Sequence, residues 1–261
     1  MKSNIDEKLI INVGDAKIGG GYFAYIAGPC AVESEDSLFS VASAVKKAGA
    51  TILRGGAYKP RTSPKDFQGL GAEGLKILVK VAKAVGLPTV SEIVDPRDID
   101  LFADVDMLQI GAKNMQNFSL LKEVGKTNKP VLLKRGFCNT LDELLLSAEY
   151  ITDAGNERVV LCERGIRTFE SANRFTLDLG GALRLKELTR FPVIIDPSHA
   201  SGRAELVEPL SLASAAIGAD GVEVETHCKP QDALCDGAQA IQPETFAEIV
   251  KKSEKIRSIV R

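Results

Sequence analysis

Three cations and two hydroxyls crowd into the run LRGGAYKPRTSPKDFQG, residues 53–69. Arg54, Lys59 and Arg61, with Thr62 and Ser63, carry the donors to hold an oxygen-rich anion such as a phosphate or a carboxylate. Gly55 and Gly56 let the backbone approach a ligand, and Pro60 and Pro64 stiffen the loop. Read alone, the run fits either an anion site or a solvated basic turn. Its position favours the site, because similar charged or metal-binding residues follow most of the other predicted strands.

Those strands are short apolar runs beginning near Phe23, Thr51, Pro88, Met107, Pro130, Arg158, Pro192 and Gly221. Helical periodicity fills segments between them, at 37–47, 72–85, 118–126, 141–154 and 205–217, and a last helix is expected at about 243–260. Glycines at 49, 86, 125, 155 and 218 follow helical stretches, where a left-handed cap is wanted. Eight strand–helix units predict a (β/α)8 TIM barrel, a fold of typically ~250 residues. A doubly wound open sheet is the alternative, but its GxGxxG after the first strand is missing. The segment LIINVGDAKIGG alternates around a Gly-Asp turn and predicts an N-terminal β-hairpin suited to plugging the barrel. The expected organisation is one catalytic domain, 1–261, with a hairpin extension at 1–24 and the barrel at 25–261.

Composition narrows the function. The 261 residues are 44% hydrophobic and 26% charged, with a formal net charge of −2, which gives no electrostatic reason to expect a nucleic-acid or membrane partner. The first ten residues lack an apolar core and a cleavage site, and the five cysteines are widely spaced with no CxxC pair. A cytoplasmic protein with reduced thiols is expected.

In such barrels the loops leaving the C-terminal strand ends build the site. Read in order, those ends carry Cys30; Arg54 to Thr62; Glu92 and Asp95; Gln109, Lys113 and Asn114; Lys134 and Arg135; Glu163, Arg164 and Arg167; Asp196 and His199; and Glu223, Glu225 and His227. Cys30, His199 and Glu225, with Asp236 in the last loop, offer a thiolate, an imidazole and two carboxylates, a borderline donor set for a divalent first-row ion. Each also has a plainer reading: Cys30 as a small buried hydrophobe, His199 as a satisfied loop histidine. Arg54, Lys59, Arg61, Lys113, Lys134 and Arg164 form a second set. Like charges this close repel unless anions neutralise them, either substrate groups or partners such as Glu92, Glu163 and Asp196.

AGPCAVES, LRGGAYKPRTSP, FQGLG, LQIGAKNMQNF, VLLKRG, LCERGIRTFE, DPSHASGR and the VETH…CD segment, from about Ala27 to Gln239, identify what the chain resembles. It is similar to the type I 3-deoxy-D-arabino-heptulosonate 7-phosphate (DAHP) synthases, in the compact subgroup close to the octulosonate-phosphate synthases. The resemblance implies a (β/α)8 barrel and one divalent metal ion (manganese, iron, zinc or cobalt). It implies condensation of phosphoenolpyruvate with erythrose 4-phosphate, the opening step of the shikimate pathway. It implies that Cys30, His199, Glu225 and Asp236 bind the metal. Arg54 and Lys134 would hold the phosphoenolpyruvate carboxylate, with Lys59 nearby; the Ala112 amide, Lys113 and Arg164 would hold its phosphate. Lys59, Arg61, Thr62 and Asp196 would bind the sugar phosphate, and Glu92 with Lys134 would orient or activate the water. The new alkoxide would be protonated by Lys134 or by a water on the metal. Relatives also suggest a homodimer or homotetramer.

Details separate this chain from its relatives. The octulosonate-phosphate synthases show a KANRSS-like run where this chain has KPRTSP, which points to the four-carbon sugar rather than arabinose 5-phosphate. The usual IGARN reads IGAKN here, so Lys113 replaces a bidentate arginine by a point charge. The 24 residues before Tyr25 and the short inter-strand loops give no obvious second ligand site, so the aromatic end products are expected to leave the rate unchanged. Relatives often carry serine where Cys235 precedes Asp236. If Asp236 and Cys30 share a metal, the reach of the chain puts Cys235 within a few to about ten ångströms of Cys30. The sequence then leaves two outcomes open for air-exposed, metal-free protein: oxidation of the two thiols to a disulfide, if their Cα atoms come within ~7 Å, or an inert buried thiol. Peptide mapping decides between them, and two free thiols would exclude the disulfide.

Overall fold

The computed structural model describes residues 7–61 and 63–260. A hairpin opens the chain, β1 (Ile11–Val13) pairing antiparallel with β2 (Ala16–Ile18) in the register Ile11 to Ile18 and Val13 to Ala16. The Gly14-Asp15 turn lies where the alternation places it.

The barrel strands are β3 (Ala24–Gly28), β4 (Ile52–Arg54), β5 (Thr89–Glu92), β6 (Met107–Ile110), β7 (Val131–Lys134), β8 (Val159–Glu163), β9 (Val193–Ile195) and β10 (Gly221–Glu225). All pair in parallel with their sequence neighbours, and β10 closes the ring on β3, with Glu225 opposite Gly28. Each starts within one residue of its expected position.

Helices α1 (Glu35–Ala48), α2 (Ala72–Val85), α3 (Phe118–Gly125), α4 (Leu141–Asp153), α5 (Leu179–Leu188), α6 (Pro197–Ser201), α7 (Ala204–Ala216) and α8 (Pro243–Val260) complete the elements. Their ends follow local chemistry. Ser34 caps α1, Asn117 caps α3 and Asp178 caps α5, each side chain accepting a backbone N–H of the first turn. The β5–β6 connection is a 3₁₀ helix, Pro96–Phe102, in place of a full α-helix. Asp95 caps it and Pro96 opens it, but seven residues do not extend into a longer helix.

Apolar residues sort into layers. Outward-facing residues of the strands, such as Leu108, Leu133, Leu161, Val193 and Val224, pack against the helices. Inward-facing Ala24, Ile26, Ile52, Val90, Met107, Leu132, Val160 and Ile194 fill the lower barrel, and Ile11, Val13 and Ile18 of the hairpin join that cluster. The hairpin therefore seals the N-terminal mouth with side chains that continue the core. No helix among the described residues is long and apolar enough to cross a membrane.

The start of α4 is a capping box: the Thr140 hydroxyl accepts the Glu143 N–H at 3.2 Å and the Glu143 carboxylate accepts the Thr140 N–H at 2.7 Å. Thr140→Ala should lower stability by about 1 kcal/mol, read as a shifted urea midpoint, with activity unchanged.

Candidate active site

Every second side chain of a barrel strand points inward. On five of the eight barrel strands the inward series starts apolar and ends polar. Ile52 is followed by Arg54, Val90 by Glu92, Met107 by Gln109, Leu132 by Lys134, and Ile194 by Asp196 at the end of β9. Polar side chains from these five strands thus meet at the C-terminal end, above a sealed apolar floor.

Six side chains close a ring of opposite charges. The Arg54 Nε lies 3.1 Å from Glu223 Oε1, and Glu223 Oε2 lies 2.7 Å from Lys134 Nζ. Lys134 Nζ reaches Asp196 Oδ2 at 2.5 Å, which faces His199 Nδ1 at 2.6 Å. His199 Nε2 lies 3.0 Å from Glu225 Oε1, and that oxygen accepts from Arg54 Nη1 at 2.7 Å, completing the circuit. Arg54, Lys134, Asp196, Glu223 and Glu225 are all buried. Burial alone would lower the His199 pKa, but Asp196 and Glu225 raise it to about 10, so the metal-free ring holds an imidazolium. Burial would raise Asp196, yet His199 and Lys134 hold its carboxyl far below the usual range. The Lys134 ammonium, which burial would depress, is pushed above its ordinary value by Asp196 and Glu223. Three cations and three anions leave the ring neutral.

The four sequence-predicted metal ligands come together. One donor atom each from Cys30, His199, Glu225 and Asp236 lies within 4.8 Å of the others. The set suits a divalent first-row ion, since one sulfur, one imidazole nitrogen and two carboxylates surround a single point. His199 fits in detail: a metal on Nε2 would replace the proton shared with Glu225, while Nδ1 keeps its bond to Asp196, an orienting arrangement common around metal-bound histidines. Two backbone features bring the ligands in. Gly28, at φ 151°, passes so close to β4 that a Cβ would sit 2.1 Å from the Arg54 carbonyl, and this lets the Gly-Pro-Cys turn drop Cys30 inward. Asp236, at φ 53°, is the one non-glycine residue with positive φ among those described. The Gln239 amide donates to Glu225 Oε2 at 2.6 Å, and Ser198 Oγ accepts the Glu225 N–H at 3.0 Å.

Above the ring lies a cleft of about 180 Å³ lined by Arg54, Lys59, Arg61, Lys113, Lys134 and Arg164 together with Glu92 and Ala112. All six predicted cations therefore face one space. Lys59 Nζ donates to the Cys30 carbonyl at 3.2 Å, and Lys113 Nζ donates to the Pro60 carbonyl at 2.6 Å, tying the two loops together. The Arg164 guanidinium carbon lies 4.9 Å and 4.3 Å from the ring centres of Phe137 and Phe175, which fix its plane. Ala112 opens a 3₁₀ turn, Ala112–Asn114, whose first amides have no partner within the turn. Gly111 makes room for Glu92: a Cβ there would meet Glu92 Oε1 at 1.9 Å. Thr62 lies outside the described residues.

Charge partners differ from the expected ones in two respects. Glu163 is taken by Arg135 at 3.0 Å, and Glu92 makes no ion pair among the described residues. Arg54 and Lys134 pair with Asp196, Glu223 and Glu225, which share the barrel interior with them, and Arg61 pairs with Asp66 at 3.5 Å. Three contributors go beyond the predicted set. Glu223, two residues before Glu225 on β10, bridges two cations; its period-2 spacing was the available signal. Arg174 lines the cleft, donates to Gln239 at 3.0 Å and lies 3.8 Å from Asp236. Gln239 itself is buried. Neither Arg174 nor Gln239 follows a strand end closely enough for position alone to mark it. Cys235 lies well inside its expected range: its Sγ is 3.2 Å from Cys30 Sγ, both thiols free, and Arg61 donates to it.

Comparison with known proteins agrees with this geometry. A phospho-2-dehydro-3-deoxyheptonate aldolase of Thermotoga maritima is 50% identical over 251 residues, covering 96% of this chain and 74% of that protein. A 2-dehydro-3-deoxyphosphooctonate aldolase of a Geobacter species is 34% identical over 273 residues, 96% of this chain and 98% of the relative. The crystal structure of DAHP synthase from Thermotoga maritima superposes with a TM-score of 0.94 at 49% identity, covering 98% of this chain and 75% of that one. A truncated form of the Thermotoga enzyme gives 0.91 at 46% identity, covering 94% of its length. Residues 4–259 match the sequence pattern of the DAHP synthetase I family, and with the barrel and its polar crown in place the chain belongs to that family.

Proposed function

We propose that this chain condenses phosphoenolpyruvate with erythrose 4-phosphate and water to give DAHP and phosphate, using one divalent metal ion. The observation that carries the reading is a cation-lined cleft opening directly onto the Cys30, His199, Glu225 and Asp236 donors. Two phosphates and a carboxylate need several cations, and a carbonyl to be attacked needs an electrophile beside it.

The residues divide the work. Arg54 and Lys134, anchored by Glu223, hold the phosphoenolpyruvate carboxylate, with Lys59 beside it. Lys113, Arg164 and the Ala112 amide hold its phosphate, Arg164 kept flat by the two phenylalanines. Lys59, Arg61, Thr62 and Asp196 take the sugar phosphate. When bound, the metal supplies a Lewis acid that polarises the sugar aldehyde. C3 of phosphoenolpyruvate forms the new C–C bond, water adds at C2, and the C–O bond to phosphate breaks. Glu92 accepts the proton of the attacking water. Lys134, held as an ammonium by two carboxylates, serves first as a charge clamp; only a base as strong as the new alkoxide would take its proton. Free cysteines support a cytoplasmic setting. The exposed Phe118, Tyr150 and Leu146 support self-association as a homodimer or homotetramer.

The deciding experiment offers phosphoenolpyruvate with erythrose 4-phosphate or arabinose 5-phosphate. Erythrose 4-phosphate should turn over faster, chelation should abolish product, and manganese, iron, zinc or cobalt should restore it. Faster turnover of arabinose 5-phosphate would make the chain an octulosonate-phosphate synthase instead. Lys113 offers one compact charge where a guanidinium grips in two places. Lys113→Arg should therefore lower KM for phosphoenolpyruvate severalfold with kcat little changed, measured by initial rates at saturating sugar.

A further inference from the structure

The four-donor set leaves unused a buried sulfur that lies against it. Cys235 is not needed for the four-ligand site, yet its Sγ lies 3.2 Å from that of Cys30. The Asp236 Oδ2 accepts from the same Cys30 thiol, also at 3.2 Å. In extended backbone, consecutive side chains point to opposite sides. Cys235 and Asp236 converge on one sulfur because Asp236 takes φ 53°, a left-handed turn that costs a non-glycine residue energy. The strain is repaid only if both side chains are wanted at that point.

We propose that Cys235 is a fifth metal donor, making the site a dithiolate chelate selective for thiophilic ions such as zinc and cadmium over manganese. The inference rests on the four-ligand reading above. Two sulfurs bound to one ion at ~2.3 Å would lie about 3.3–4.0 Å apart, depending on the angle between the bonds, so the pair at 3.2 Å needs to open by less than about an ångström. Both thiols give up their protons to solvent, leaving two thiolates and two carboxylates on a dication. Arg61, donating to Cys235 Sγ, and Lys59, bonded to the Cys30 carbonyl, stand where they offset that excess negative charge. Arg54 is already committed to Glu223 and Glu225. Two thiolates favour soft ions because polarisable sulfur gains more from them than from manganese, whereas carboxylates and imidazole hold manganese well. Serine at this position would leave one sulfur and a harder site.

The test titrates reduced, metal-free protein with cadmium in the absence of oxygen, following the sulfur-to-cadmium charge-transfer band in wild type and in Cys235→Ser. At one equivalent the wild-type band should be about twice that of the variant, and the cadmium-to-manganese affinity ratio should fall by at least about tenfold in the variant. Manganese affinity should change by less than about threefold, which also shows that the variant is folded. Cadmium NMR of the wild type alone should report two sulfur ligands, a reading that needs no variant. Equal band amplitudes, or one sulfur by NMR, would overturn the fifth donor and leave the four-ligand site standing. Failure of wild type to bind either ion would overturn both.

Discussion

Everything at the mouth of this barrel depends on the neutrality of six charges, five of them buried. Arg54, Glu223, Lys134, Asp196, His199 and Glu225 alternate in sign around a closed path. None could be buried alone; removing one partner of a buried pair typically costs ~3–5 kcal/mol because the other charge is stranded. The ring also decides which groups stay available. His199 keeps one nitrogen bound to Asp196 and presents the other toward Cys30, Glu225 and Asp236. Arg54 and Lys134 stay charged at any physiological pH, since each sits between two carboxylates.

The barrel makes such a ring possible. Parallel strands bring residues far apart in sequence, such as Arg54 and Glu225, to the same height. Alternation then puts a charged side chain two positions above an apolar one on strand after strand. The apolar layer, completed by Ile11, Val13 and Ile18, keeps water from rising beneath the charges. Loops above the ring add what the strands cannot. The segment carrying Lys59 and Arg61 is tied to Lys113 through Pro60, and the last loop delivers Cys235 and Asp236 through a strained turn.

Much of this was legible because the signals are local. Short apolar runs marked every barrel strand, and the first polar residue after each run marked most of the site. Helix α2, with Leu75, Leu78 and Ala82 on one buried face, was found with its full bounds, Ala72–Val85. Less local features were harder to see. Helix α5 begins Leu-Gly-Gly, residues that disfavour helix, and its stability comes from packing and the Asp178 cap. The segment after β5 has too few residues for a helical period to show. Glu223 stands among the strand-end polar residues in the sequence, but its bridging role exists only once Arg54 and Lys134 lie beside it. Arg174 and Gln239 reach the site from the middle of loops, where sequence position carries no directional information.

The plugged floor turns the barrel into a cul-de-sac. A single doorway must serve two reactants, a water and two products, so traffic is forced into a queue. Whatever seats deepest against Arg54 and Lys134 must arrive before anything lodges near Arg61, and cannot leave until that outer occupant has moved.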